Sequence, residues 1–178
     1  MGIRIATKRN PWHYTECGLA NIYLIGIKIR RNSDSGAEEP MIPRIEELHD
    51  AIFLGLLKKP GALTGKEVRY LRGHLMWTQA EANRKLQQSS AQYFSTLERK
   101  REKPAFDTHT DFVWRLLCAK AFHDQSTGRR RAEAAETIRI LEQVEQALSA
   151  IRSSREQLLI GFVRKNDEWQ GPAELRTA

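Results

Sequence analysis

Five acidic and imidazole side chains in the second half of the chain are of the types that bind metal ions or catalyse hydrolysis. They are Asp107, His109, Asp111, His123 and Asp124. Carboxylates and imidazoles are suitable ligands for divalent cations and suitable general bases. Their spacing matches no metal-binding motif, and polar residues around a helix start, capped by Thr108 or Thr110, explain the first three more simply. We therefore predict no catalytic residues, no metal site and no enzymatic activity.

The two cysteines do not form a metal-binding pattern either. Cys17 and Cys118 are far apart in the sequence, so neither a disulfide framework nor a paired-cysteine zinc motif is present. His13 and Cys17 are a pair of candidate ligands without the two further ligands that a structural zinc requires. Neither a glycine-rich phosphate loop nor a nucleophile elbow occurs. The sequence predicts no cofactor, and it favours a packed turn at His13.

Positive charge is concentrated in residues 64–104. The whole chain has 29 Lys and Arg against 22 Asp and Glu, a net charge of +7, whereas this segment alone has nine against four. Such an excess favours a polyanionic partner, of which nucleic acid is the usual example. A basic surface that is merely solvated is the alternative. The helix pattern of the same segment favours nucleic acid.

Two helices are signalled at the start of this segment. Thr64 followed three residues later by Glu67 forms a capping box, and Thr78 with Glu81 forms a second one. The first helix carries apolar residues at helical spacing, namely Val68, Leu71, Leu75 and Met76. The pattern therefore predicts a helix after Thr64 and another, of two to three turns, after Thr78.

A third helix is predicted after the polar turn 87–90. Ser89 or Ser90 is expected to cap it, because serine side chains accept hydrogen bonds from the first amides of a helix. Phe94 and Leu97 lie three residues apart and are expected to bury one side. The opposite side is left free to face a groove.

Thr78-Gln79 and residues 90–98 resemble the helix-turn-helix of the Cro/CI (XRE) family, in which Ser/Thr-Gln opens the second helix. This chain departs from the family at two positions and in the length of the turn. Asn83 stands where the family favours a small residue, Gln87 replaces the usual turn glycine, and the turn is one residue longer. The resemblance implies that the third helix enters the major groove of double-stranded DNA.

This resemblance assigns two groups of DNA-contacting residues. The residues expected to meet base edges are Ala91, Gln92, Ser95 and Thr96, with the Gln92 amide able to read adenine. The residues expected to hold phosphates are Gln79, Arg99, Lys100 and Arg101. Trp77 and Trp114 are expected in the core, whereas packing and a DNA contact are equally open for Tyr93.

Two further stretches, WHYTECGL at residues 12–19 and LTGKEVRYLR at residues 63–72, resemble bacterial helix-turn-helix regulators of an antitoxin-like group related to the MqsA type. Proteins of the MqsA type proper carry a zinc site built on paired cysteines. Cys17 stands alone, so the resemblance does not imply a zinc site here. It does imply an alternative role, in which the protein neutralises a toxin-like protein partner and represses its own operon.

The residues before this segment predict a small β element and one helix. Alternating apolar residues over 25–29 indicate a strand, and the polar residues 32–40 indicate a loop or linker. A helix is expected from Pro43 until Lys59-Pro60-Gly61 stops it. Its apolar residues are Ile45, Leu48, Ile52 and Leu56.

The residues after Pro104 predict two helices and a hairpin. The first is an amphipathic helix with apolar residues from Phe112 to Phe122, which ends before Gly128. A longer helix over about residues 130–155 has one narrow apolar seam, formed by Ile138, Leu141, Val144, Leu148 and Ile151. This seam is expected to form a homodimer, although packing within one chain is the alternative. A closing hairpin from Leu158 is expected to extend the N-terminal sheet.

Together these patterns predict a mainly α protein with a helix-turn-helix DNA-binding core, a long C-terminal helix and a small flanking β element. The expected segments are residues 1–42, 43–104 and 105–178. The expected function is sequence-specific binding of a palindromic operator as a dimer, in the role of a transcriptional repressor. A nucleic-acid-processing enzyme is a further alternative, because a basic groove alone does not separate binding from cleavage. No apolar stretch has the length of a signal peptide or membrane span, so the expected location is the cytoplasm.

Overall fold

A computed structural model describes residues 2–144, 160–165 and 168–174. Six α-helices and seven β-strands occur within these residues, which confirms a mainly α protein with a β component. The elements in chain order are β1 (Ile3–Ile5), β2 (Trp12–His13), β3 (Ile22–Ile25), β4 (Lys28–Arg31), β5 (Glu38–Met41), α1 (Ile45–Lys58), α2 (Gly65–His74), α3 (Gln79–Lys85), α4 (Tyr93–Arg99), α5 (Thr108–Gln125), α6 (Gly128–Val144), β6 (Ile160–Lys165) and β7 (Glu168–Glu174).

The chain divides into two compact units. Unit 1 consists of Met1–Gly55 and Gln157–Ala178, and it contains both β-sheets. Unit 2 consists of Leu56–Glu156 and contains helices α2 to α6. The boundaries expected from the sequence, after residues 42 and 104, stay predictions.

Unit 1 has one sheet of three strands and one of four. The first has the order β1-β4-β5 and is antiparallel throughout. The second has the order β2-β3-β6-β7, in which β6 runs parallel to β3 and aligns Ile22 with Ile160. Strand β7 pairs antiparallel with β6, so the closing hairpin extends the N-terminal sheet as predicted. Residues 166–167, which connect these two strands, lie outside the described residues.

The single strand predicted over residues 25–29 is wrong. Strand β3 ends at Ile25 and β4 begins at Lys28, because Gly26 adopts a left-handed φ of 83° and its amide donates to Ala6 O (2.8 Å). The loop predicted over residues 32–40 is also shorter than expected. Strand β5 begins within it, at Glu38, where Arg30 forms an ion pair with Glu39 (2.7 Å) across the sheet.

Helix α1 ends close to the predicted stop at Lys59-Pro60-Gly61, and Leu48, Ile52 and Leu56 are buried as its spacing requires. Ile45 is half exposed instead. A contact that the spacing does not reveal secures the end of the helix. The buried Arg115 guanidinium donates to five acceptors, which are Asp111 Oδ2 and the carbonyls of Leu56, Leu57, Lys59 and Gly61. It thereby satisfies carbonyls that a helix end leaves without partners.

Helix α5 begins one residue after Asp107, whose Oδ1 accepts from the Thr110 amide (3.0 Å). The prediction of a threonine cap is therefore wrong, because the carboxylate occupies the cap position. Helix α6 begins at Gly128 and contacts α5. The long helix predicted over residues 130–155 is helical through Val144, and its remainder lies outside the described residues. None of the described helices is long and apolar enough to cross a membrane.

Candidate nucleic-acid interface

Helices α2 and α3 begin as predicted. The Thr64 hydroxyl accepts from the Glu67 amide (3.4 Å), while Glu67 Oε2 accepts from the Thr64 amide (2.7 Å). Thr78 and Glu81 make the same reciprocal pair, at 3.2 Å and 2.7 Å. These bonds satisfy amides that lack partners within their own helices. The bond from the Thr78 amide is also the main cause of a lowered pKa of the Glu81 carboxyl, and the Thr78 hydroxyl lowers it further.

Met76 does not lie on the apolar side of α2. The helix ends at His74, and Met76 adopts a left-handed φ of 58° in the turn that follows, with 87% of its surface exposed. Val68, Leu71 and Leu75 are buried as predicted. Helical spacing misplaced Met76 because the periodicity continues past the point where the backbone leaves the helix.

Asn83 organises the connection between α3 and α4. Its buried amide donates from Nδ2 to Ala91 O (2.9 Å), and its Oδ1 accepts from the Phe94 amide (3.4 Å). Gln87 adopts a left-handed φ of 52° in the same connection, the conformation that glycine most readily supplies. Asn83 and Gln87 thus both shape the turn between α3 and α4, to which Asn83 supplies hydrogen bonds that a small residue lacks.

The start of α4 differs from the prediction. The helix begins at Tyr93 with Gln92 at the cap position, and the Gln92 side chain makes no cap hydrogen bond. Ser90 Oγ instead accepts from the Gln92 amide (3.3 Å) within the turn. Neither Ser89 nor Ser90 is therefore a helix cap, because the bonds from Asn83 extend the turn. Of the predicted base-contacting residues, Ala91 and Gln92 precede the helix, while Ser95 and Thr96 lie within it.

The inward side of α4 packs on an aromatic cluster. Phe94 and Leu97 are buried as predicted, and the Phe94 ring centroid lies 4.8 Å from that of Trp114. Trp77 meets Trp114 edge-on at 5.8 Å, so both tryptophans are in the core as expected. Tyr93 is half buried beside this cluster, and burial raises the pKa of its hydroxyl, with a further contribution from Asp107.

A buried ion pair connects α4 to the two preceding helices. Arg72 donates to both carboxylate oxygens of Glu98, at 2.6 Å and 3.1 Å. Gln79 Nε2 donates to the same carboxylate at 2.9 Å. Gln79, which the sequence assigned to a phosphate, therefore has one amide hydrogen directed at Glu98. The network fixes the orientation of α4 relative to α2 and α3.

The N-terminus of α2 lies directly against the C-terminus of α4. A Cβ added at Gly65 would lie 2.4 Å from Leu97 O and 2.9 Å from the Arg101 amide nitrogen. The Lys66 amide donates to Arg101 O (3.0 Å), and its side chain pairs with Glu102 (2.5 Å). The LTGKE stretch thus has a physical role, because it holds the end of α4 in place.

Gln92, Thr96 and Arg99 recur at intervals of four and three, so they share the outward side of α4. All three side chains are exposed. Arg99 donates to Ser95 O (3.2 Å) and to the Thr96 hydroxyl (3.4 Å), and the Lys100 amine donates to a carbonyl (3.1 Å). Arg99 and Lys100 therefore place positive charge at the C-terminal end of the outward side.

The acidic and basic residues of this segment have different surroundings. All four glutamates, Glu67, Glu81, Glu98 and Glu102, are engaged by Lys59, Thr78, Arg72 and Lys66 respectively. In contrast, four exposed basic side chains make no hydrogen bond or ion pair within the described residues, and they are Arg69, Arg84, Arg101 and Lys103. Arg69 follows Gly65 by four residues and precedes Arg72 by three, which places it on the side of α2 that faces α4.

Four of the residues considered for metal or catalytic chemistry, Asp107, Asp111, His13 and Cys17, have structural partners. Asp111 accepts from the Leu63 amide (2.8 Å) and from Arg115, while Asp107 caps α5. His13 Nε2 lies 2.8 Å from Ala20 O, and the Cys17 thiol donates to Tyr14 O. Among the described residues, no group of three His, Cys, Asp or Glu side chains is close enough to hold a metal ion.

The predicted dimerisation seam lies only partly within the described residues. Leu141 is 4% exposed within its own chain, on the same side of α6 as the buried Ala134 and Thr137. Ile138 is half buried. Nothing is described of the side chains of Val144, Leu148 and Ile151. The buried part of this seam packs within the chain.

Comparison with known proteins does not assign the chain to a family. No family model, characterised protein or solved structure matches the chain. The residues and their contacts are therefore the basis on which a function is assigned.

Proposed function

We propose that this protein is a sequence-specific regulator of transcription that binds double-stranded DNA through a helix-turn-helix formed by α3 and α4. The proposal rests on the difference between the two sides of α4. Its inward side is fixed by Phe94, Leu97 and the Glu98 network, whereas its outward side is exposed. The major groove, about 12 Å wide, admits an α-helix presented in this way.

The charge around α4 supports an anionic partner. The glutamates of residues 64–104 are held by internal partners, while the exposed Arg101 and Lys103 beyond the end of the helix make no side-chain bond within the described residues. Phosphate contacts supply much of the affinity of DNA-binding proteins and fix their register. In this proposal, Arg99, Lys100 and Arg101 hold phosphates, and Arg69 of α2 is an additional candidate. Gln79 contributes through the position that it helps to set for Glu98.

The residues before and within α4 have the chemistry needed for base readout. Gln92 is exposed at the residue that precedes the helix, and its amide matches the donor and acceptor pair of adenine in the major groove. Ala91 offers an apolar contact, and Ser95 and Thr96 offer hydroxyls one turn further on. We propose a homodimer on a palindromic operator, because two-fold symmetric sites are the usual targets of this motif.

Selection of bound sequences from a random DNA pool tests this function directly. The wild-type chain is expected to enrich one motif, repeated with two-fold symmetry at a spacing of about one helical turn. The Gln92→Ala chain is expected to lose the preference at one position of each half-site. Ser89→Ala, which changes an exposed serine of the turn, serves as the matched control and is expected to select the wild-type motif.

Enrichment of no motif by the wild-type chain would contradict sequence-specific binding. An unchanged motif from Gln92→Ala would retain the function and remove Gln92 from the base-contacting residues. The antitoxin-like alternative stays a separate prediction, since it requires a protein-binding surface in addition to the DNA contact. Co-purification of a toxin-like protein encoded beside this one, with loss of toxicity on co-expression, would support it.

A further inference from the structure

The outer face of the three-stranded sheet of unit 1 carries three exposed apolar side chains. Ile3 of β1 is 62% exposed, Ile5 is 58% exposed, and Met41 of β5 is 48% exposed. The strand register aligns Ile5 with Lys28 and Met41 in one row, and Ile3 with Arg30 and Glu39 in the next. Ile3, Ile5 and Met41 therefore share one face of the sheet, around the Arg30–Glu39 ion pair.

Strand β1 also has an edge that no other described strand covers, because the sheet order is β1-β4-β5. The Gly2 carbonyl accepts from the Arg31 amide (3.0 Å), and the Ala6 amide donates to Ile27 O (2.9 Å). In an extended strand, alternate residues direct their backbone groups to the same side. Ile3 and Ile5 therefore direct their amides and carbonyls away from β4, where no strand of this sheet lies.

We propose that a second copy of the chain binds this edge, with the two β1 strands antiparallel across a two-fold axis at Arg4. In that register Ile3 exchanges backbone hydrogen bonds with Ile5 of the second copy, and Ile5 does so with Ile3. The same pairing brings the isoleucine side chains together on the outer face. Each Arg4 is on the opposite face and is neutralised by Glu38 (2.7 Å).

The distribution of charge favours a second copy over an acidic or basic partner at this surface. Unit 2 contains 19 basic and 12 acidic residues, whereas unit 1 contains ten of each. The whole net charge of +7 is therefore in unit 2. A contact between two copies through unit 2 opposes like charges, while one through unit 1 does not. On the face itself, Arg30 is paired with Glu39, which leaves Lys28 as its one cation without a partner in the described residues.

The seam of α6 offers a second copy less apolar surface than the sequence suggests. Ala134, Thr137 and Leu141 are already buried within the chain. Of the large apolar side chains that are exposed in the described residues, three of five lie on the β1–β5 face. This dimer does not depend on the proposed DNA-binding function, and it is measured without DNA.

Sedimentation velocity of the full chain over a range of concentrations tests the proposal. The wild-type chain is expected to shift from one to two chain masses as its concentration rises. Ile5→Lys places a charge in the apolar pair, and Ile5→Pro removes an outward amide that β4 does not use. Both variants are expected to remain at the mass of one chain. Ile45→Lys, at a similarly exposed isoleucine of α1, is the matched control and is expected to pair like wild type.

Circular dichroism checks whether each β1 variant is folded. The two substitutions disrupt the interface by different means, so if one variant unfolds, the other still tests the proposal. A wild-type chain that stays at one chain mass at every concentration would overturn the proposal. Folded β1 variants that pair like wild type would overturn it as well. If that pairing were lost in Leu148→Glu, the interface would be assigned to the α6 seam instead.

Discussion

Asn83 illustrates how one buried side chain sets the position of a whole helix. Its side-chain Nδ2 donates a hydrogen bond to the carbonyl of Ala91, and its Oδ1 accepts one from the amide of Phe94. These two residues lie on either side of Gln92, which precedes α4. Replacement by alanine would leave two backbone groups without these partners. An unsatisfied buried polar group costs about 1–3 kcal/mol.

We expect Asn83→Ala to lower the free energy of unfolding by about this amount and to weaken DNA binding, because the start of α4 is no longer fixed. Urea denaturation followed by circular dichroism measures the first effect. Ser89→Ala, in the exposed part of the same turn, is expected to change stability by less than about 0.5 kcal/mol. Equal stabilities of the two variants would show that the Asn83 bonds do not hold the turn.

Two glycines of α2 allow a second test at the scale of single residues. A methyl group at Gly65 would overlap the backbone of α4, at 2.4 Å from Leu97 O, whereas one at Gly73 would meet no atom within 4 Å. We expect Gly65→Ala to destabilise the protein by about 1–3 kcal/mol or more through overpacking. Gly73→Ala is expected to stabilise it by up to about 1 kcal/mol, because alanine loses less entropy in a helix.

Thermal unfolding monitored by circular dichroism measures both glycine variants. Opposite shifts of the melting temperature, downward for Gly65→Ala and upward for Gly73→Ala, are the expected result. A Gly65→Ala chain as stable as wild type would mean that α2 and α4 are not in the close contact described here.

At the scale of elements, local patterns were predictable and distant contacts were not. The helix starts after Thr64 and Thr78 followed from side chains three residues apart, which the sequence displays directly. The start of α4 depends on bonds from Asn83, eight and eleven residues away, and it was misplaced. Arg115 lies 54 or more residues from the carbonyls that it binds, so no local pattern indicated its role.

The orientation of α4 depends most on the ion pair between Arg72 and Glu98, whose side chains are 15% and 7% exposed. Removing one partner of a buried ion pair costs about 3–5 kcal/mol, because the other charge is left uncompensated. We expect Glu98→Ala to destabilise the chain by roughly that amount. Glu102→Ala breaks the more exposed pair with Lys66 and is expected to cost about 1 kcal/mol or less.

Guanidinium chloride denaturation of the two glutamate variants measures the difference. A Glu102→Ala variant that loses as much stability as Glu98→Ala would indicate that burial does not distinguish the pairs. The account of how α2, α3 and α4 are held together would then be wrong.

At the scale of the whole molecule, the sequence predicted the fold class better than the arrangement of the chain. The mainly α class and the extension of the N-terminal sheet by the closing hairpin are confirmed. The break at Gly26 was missed because an alternating apolar pattern does not reveal a left-handed glycine within it. The burial of Leu141 was missed because an apolar seam has the same sequence pattern whether it packs within a chain or between chains.

The concentration of charge in unit 2 leads to a prediction about salt. Arg101 is exposed and makes no side-chain bond within the described residues. Arg101→Ala is therefore expected to lower the affinity for specific and for random DNA by the same factor. The slope of log K against the logarithm of the salt concentration should become shallower by about one. Lys8→Ala removes an exposed cation of unit 1 that lies outside its strands, and this control is expected to leave the slope unchanged.

Gln92→Ala is expected to behave differently from Arg101→Ala, because a neutral amide releases no counterions. The salt slope should stay close to that of wild type, while about 1–3 kcal/mol is lost at one base position. Fluorescence anisotropy at several salt concentrations, on duplexes that differ at single positions, measures both quantities. Equal weakening on every duplex would remove Gln92 from the residues that read bases.

The most direct test of sequence-specific binding is the affinity of the wild-type chain for its selected duplex and for a scrambled duplex of equal length and composition, at physiological salt. The selected duplex is expected to bind at least about 1,000-fold more tightly, as it does for specific regulators. Equal affinity for the two duplexes would contradict sequence-specific binding, because α4 would then contribute charge to DNA binding without reading its sequence.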